Sequence, residues 1–162
     1  MDVHRVWASR FGRRYLLGRS VDYLTFYLSA AWRLWRLARR GDVRVAKTDP
    51  PMLSVLVVPI ARLRGARAVN WLQDVFPEVA ERLDFGGRAG RLGFGLLRGL
   101  RNGSLRAAHA NVVLGGRMAD CLAALGIARE RICVIPNWAD GRSIAPVAPA
   151  ATALRREWGL GD

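Results

Sequence analysis

Asp74 and Glu78 stand four residues apart where strand-forming residues give way to a helix opened by Pro77. Two carboxylates so placed can orient or deprotonate a substrate hydroxyl. Glu78 serves equally well to complement the N-terminus of that helix, which is the reading favoured for it. Asp74, with Gln73 beside it, has few structural duties at a strand end and is the candidate for chemistry. Asp49, ahead of Pro50-Pro51, reads first as a helix N-cap and second as a ligand. Gly115-Gly116-Arg117 can offer backbone N–H groups and a guanidinium to a phosphate, or simply make a tight turn. Neither it nor the stretch from Gly86 to Gly95 carries a full phosphate-loop or dinucleotide-binding pattern. Cys121, Cys133, His4 and His109 are the only thiol and imidazole groups, and the cysteines are too far apart for a CxxC pair, so no metal centre is expected.

The elements that must position these groups alternate. Apolar residues Val21, Leu24, Leu28, Ala31, Trp35 and Ala38 recur at helical spacing, with Tyr23, Tyr27, Ala30, Leu34 and Leu37 widening the stripe. The spacing predicts a helix capped by Ser20 or Asp22 and ended by Gly41, its cationic end suiting the helix dipole. A strand follows over 42–47, then a largely buried helix from Pro50 to Arg64, with Pro59 inside it and Gly65 as its stop. Residues 67–72 form a second strand, 77–83 a short helix, 84–90 a glycine-rich loop and 91–108 a helix weakened by four glycines, to which Arg91, Arg98, Arg101 and Arg106 give a partly basic surface. The third strand spans 111–114, a helix runs from Arg117 to Leu125 with Gly126 past its end, and the fourth strand spans 131–135. Residues 143–151 read as a proline- and alanine-rich linker, and 152–158 as a last helix.

Strands separated by helices imply an α/β domain with a parallel sheet, whose binding crevice lies beyond the C-terminal strand ends. The segments TDPP, QDVFPE, LGGR and PNWAD all fall there. The polar and proline-rich clusters scattered along the chain therefore converge on one edge.

A chain of 162 residues that is 51% hydrophobic supports one domain and excludes a disordered tail. No apolar run reaches the roughly 18 residues of a membrane span, and Arg19 and Asp22 interrupt what would otherwise resemble a twin-arginine export signal. Twenty-six basic residues against 13 acidic ones give a net charge of +13, which suits nucleic acid, an anionic membrane or a phosphorylated substrate. No nucleic-acid-binding module accompanies the charge, so no nucleic-acid partner is expected. The aromatic, arginine-rich helix over 21–40 can lie on a membrane surface. An ordinary core helix with a solvated cationic end is slightly favoured over that reading.

The ordered series AKTDPP (46–51), NWLQDVFPE (70–78), VVLGGRM (112–118), ICVIPNWAD (132–140) and LRREWGL (154–160) resembles the N-terminal half of family 4 glycosyltransferases. Within these it is most similar to the subgroup that builds colanic acid, O-antigen and capsule glycans. The resemblance implies a GT-B architecture in which a Rossmann-like N-terminal domain holds the acceptor and a C-terminal domain holds most of the nucleotide-sugar. It also implies transfer with retention at the anomeric carbon, without cofactor or required metal, to a lipid-linked glycan at the inner face of the cytoplasmic membrane. By the same resemblance Asp74 orients the acceptor or supports catalysis. Asp49, Gln73, Glu78, Gly115, Gly116 and Arg117 line the cleft, while Asn137 and Trp138 lead into the interdomain crossover.

Two departures from the family pattern shape the expectation. The opening strand and glycine-rich donor loop are not matched, since residues 1–6 resemble an internal strand, and the paired glutamates of the donor domain are not matched either. The chain is therefore expected to hold an acceptor-side domain over 1–142, with 143–162 as linker and start of the crossover. Such a domain is inactive until a donor-binding domain is supplied, and its sheet exposes an edge or an apolar face. The alternative is a basic module that binds anionic lipid without catalysis.

Overall fold

The computed structural model describes residues 2–12, 16–75, 87–142 and 153–159. Helix α1 spans Leu16–Leu37, strand β1 Val43–Lys47, helix α2 Leu53–Leu63 and strand β2 Arg67–Trp71. Helix α3 spans Gly87–Ala107, β3 Ala110–Val113, α4 Gly116–Ala124, β4 Ile132–Val134 and the short α5 Ala153–Glu157. The four strands form one parallel sheet in the order β1-β2-β3-β4. The fold is thus the α/β, Rossmann-like arrangement expected. The predicted helix over 77–83, Glu78 included, and the linker over 143–151 lie outside the described residues.

Register fixes which side chains share a face, because partners across a parallel ladder point the same way. Ala46 pairs with Asn70, Asn70 with Asn111, and Val113 with Val134. The helices pack on that face, in two parts. Val58 and Ala61 of α2 meet Ala66, Ala68 and Ala108, small residues that let helix and strand approach closely. Leu105, Leu122 and Ile127 close on Leu72 and Val113 with larger side chains. Between the two parts, the buried Asn70 donates to Asn111 Oδ1 at 2.9 Å, and Asn111 donates to the carbonyls of Leu105 and Arg131. Buried amides need such partners. Gly126, with φ +78°, ends α4 as expected.

Several expectations need correction. α1 begins before Ser20 and Asp22 instead of being capped by them. The Asp22 carboxylate is occupied by Ser9 Oγ (2.7 Å), Phe11 N (3.0 Å) and Gly12 N (3.1 Å). The helix also stops short of Gly41, because Asp42 Oδ2 takes the N–H of Arg39 (2.9 Å). Residues 2–6 are not a strand. Their segment runs along α1, with Ser9 N donating to Thr25 Oγ1 and Arg33 to His4 Nδ1. Residues 87–90, expected in a loop, already belong to α3. Finally, α1 is not a core helix on both its stripes. The stripe of Tyr23, Tyr27 and Leu34 is half-buried on the α2 side, with Tyr27 donating to the Pro51 carbonyl, while Val21, Leu24, Leu28 and Trp35 are exposed.

Candidate functional site at the carboxyl edge of the sheet

Parallel strands deliver their following loops to one edge, and hydrogen bonds join three of those loops here. Gln73, two residues past β2, donates its backbone N–H to Thr48 Oγ1 (3.2 Å) in the loop after β1. Asn137, past β4, donates its side-chain amide to Gln73 Oε1 (3.4 Å). Gln73 is the tie, half-buried between an exposed Asp74 and an exposed Asn137. Segments 25 and 64 residues from Gln73 in the chain thereby form one polar rim.

Beneath that rim lies a cavity of about 20 Å³ lined by Lys47, Thr48, Ser54, Asn70, Asp74 and Arg101, among others. Its volume matches about one water molecule. Anything larger than a water molecule must therefore sit above the rim, where the exposed Asp74 carboxylate can accept hydrogen bonds. Two of the lining groups were missed by sequence reasoning. Asn70 is fully buried with Oδ1 unsatisfied by protein, and Arg101 is 4% exposed although it looked like part of a basic helix surface. Periodicity within α3 placed Arg101 on a helix, but only its packing brings it under the sheet edge.

Asp49 is not an N-cap, and Pro50 is not the first helical residue. Met52 adopts the left-handed φ of 66°, so α2 starts only at Leu53; the Asp49–Pro50 peptide is cis. Two successive prolines remove two backbone donors and fix φ, and the chain completes a turn before the helix can begin. Asp49 is exposed at this turn. Its charge, after burial and Tyr23, helps push the nearby Tyr27 hydroxyl up to about 12.

Gly115 is the residue before α4, and Gly116 opens the helix, one residue earlier than expected. The backbone of Gly115 is extended, a conformation open to any residue, and a Cβ on either glycine would meet nothing within 4 Å. No side chain caps this helix. Arg117 and Gly116 are exposed and Gly115 half-buried, at the same sheet edge but without a hydrogen bond to the Gln73 rim among the described contacts. Trp138 is 87% exposed, the least covered large apolar side chain described. Among the described residues no group of three or more His, Cys, Asp or Glu is placed to hold a metal ion.

The arrangement offers hydrogen-bonding groups for a polyhydroxylated ligand at the crevice position of a parallel sheet. No curated protein matches the chain. A family model described as a glycosyl transferase 4-like domain matches residues 1–138, and so takes in the N-terminal segment, all four strands and the rim as far as Asn137 and Trp138. With the match covering most of its length, this chain belongs to the glycosyl transferase 4-like family.

Proposed function

We propose that this domain holds the acceptor in a GT-B type glycosyl transfer, in which a sugar passes from a nucleotide-sugar to a lipid-linked glycan during surface polysaccharide synthesis of the colanic acid, O-antigen or capsule kind. The observation that carries the reading is the rim in which Gln73 ties Thr48 to Asn137 beside the exposed Asp74. An acceptor hydroxyl over that rim donates to Asp74, whose carboxylate fixes its direction and takes its proton as the oxygen bonds to the anomeric carbon and the bond from that carbon to the diphosphate breaks, releasing the nucleoside diphosphate. Gln73, itself fixed on both sides, presents a held amide beside it. Gly115, Gly116 and Arg117 border the same cleft, and Trp138 offers an apolar face to a sugar ring. The donor nucleotide is held by a second domain, so that this domain alone binds glycan without transferring sugar.

The test is heteronuclear NMR of the purified chain with a short polyprenyl pyrophosphate-linked oligosaccharide. The side-chain amides of Gln73 and Asn137 are expected to shift, and Asp74→Asn to weaken binding about tenfold, the equivalent of about 1.4 kcal/mol. Unshifted amides, binding indifferent to Asp74→Asn, or sugar transfer from a nucleotide-sugar by the chain alone overturns the reading.

A further inference from the structure

Helix α1 turns an apolar row toward solvent. Leu17, Val21, Leu24, Leu28, Trp32 and Trp35 follow one another at three- and four-residue steps and are 41–83% exposed. At 1.5 Å per residue the row is about 27 Å long. The opposite side of the helix is engaged with α2, so the row is a second apolar face and not a displaced core. A contiguous exposed row of this kind marks an interaction surface.

The groups bordering the row identify what it meets. The Arg36 guanidinium lies 4.3 Å from the centre of the Trp32 ring, and that of Arg64, from the end of α2, 5.3 Å from the centre of Trp35. Arg39 and Arg40 follow, both exposed. Residues 16–40 contain five arginines and a single acidic residue, Asp22, and its carboxylate is occupied by the segment alongside. An aliphatic row ending in tryptophans that carry arginines is the chemistry of a bilayer interface. Alkyl groups enter the acyl boundary, indoles sit at headgroup depth and guanidinium groups reach lipid phosphate. Pairing two copies row to row in parallel would instead bring their arginine clusters together, which like-charge repulsion opposes, and an antiparallel pair would leave each cluster with only the occupied Asp22 as an anionic neighbour. Among the described residues no helix is long and apolar enough to cross a membrane.

We propose that α1 lies in the plane of an anionic lipid bilayer, with this row immersed and its arginines on the headgroup phosphates. The proposal shares only a lipid with the acceptor reading, and its test involves no sugar. The whole chain is sedimented with vesicles of phosphatidylcholine alone and of phosphatidylcholine with one quarter phosphatidylglycerol. Binding is expected on the anionic vesicles, with tryptophan emission shifted to the blue and quenched by brominated lipid. Leu24→Gln with Leu28→Gln, and separately Arg36→Gln with Arg39→Gln and Arg40→Gln, each weaken it at least tenfold while the circular dichroism spectrum is retained. Leu96→Gln, an exposed apolar residue on α3, leaves it unchanged. Three results would overturn the proposal: no binding to anionic vesicles at low salt, binding that survives the leucine substitutions, and a concentration-dependent dimer abolished by those substitutions without vesicle binding.

Discussion

The two faces of the sheet are made by the same four strands and have opposite fates. On one, Ala46, Ala68, Asn70, Asn111 and Val113 lie at or below 3% exposure beneath α2, α3 and α4. On the other, Val43 is 58% and Val45 54% exposed, and Trp71 and Cys133 are also open to solvent. Only Val112, flanked in register by those two, is buried there. Parallel strands ordinarily carry apolar residues on both faces because both are covered. β1 and β2 keep that two-sided composition although helices pack on one side alone among the described residues. Burial in this fold therefore follows the helices, and side-chain type on the strands does not reveal it.

Substitutions can break that comparison. The largest effect is expected from Leu105→Ala or Leu122→Ala on the covered side, each fully buried. Either should cost about 2–5 kcal/mol in urea unfolding, from lost apolar burial plus the cavity left behind. Next comes Asn111→Ala, which leaves the Asn70 amide and the carbonyls of Leu105 and Arg131 short of partners, at about 1–3 kcal/mol. Val43→Thr and Val45→Thr on the open side should change stability by no more than about 0.5 kcal/mol while reducing self-association in sedimentation velocity. If Val45→Thr costs as much as Leu105→Ala, the face is covered in solution and the contrast fails.

Much of this organisation was legible in the sequence, for reasons that also explain the misses. Short apolar runs separated by helical periods placed all four strands within one or two residues, and the alternation fixed their parallel sense. The convergence of TDPP, QDVFPE, LGGR and PNWAD on one edge followed from that topology alone, and the hydrogen bonds of Gln73 to Thr48 and Asn137 join the loops after β1, β2 and β4 there. What escaped was set by contacts between distant segments. Asp22 looked like a cap because nothing local revealed that Ser9, Phe11 and Gly12 would claim its carboxylate. The stripe containing Leu24 and Leu28 looked like core because periodicity shows that a face is apolar, not what covers it. Arg101 looked like surface for the converse reason.

The smallest effect concerns a third kind of attachment. Residues 2–12 show Val3, Trp7 and Phe11 to solvent at 68–70% exposure, so apolar burial does little to hold them to α1. Polar contacts to Asp22, Thr25 and Arg33 do that instead. The hydrogen bond from Ser9, then that from the Phe11 N–H, hold the Asp22 carboxyl below its ordinary value of 3.8. A group whose value is lower when attached favours attachment above its ordinary value and loses that contribution as pH falls through the lowered one. Amide resonances of Ser9, Phe11 and Gly12 should thus hold their shifts down to about pH 4 and then move together, while those of Leu105 and Val113 stay in place. Asp42 has its carboxyl held low as well, chiefly by the Arg39 N–H, so acid alone acts on both carboxylates. Asp22→Asn at neutral pH separates the two, because it weakens the attachment of 2–12 and leaves Asp42 ionised. If the segment stays in place in that variant, its bonds to Thr25 and Arg33 suffice to hold it and the Asp22 carboxylate is not the attachment.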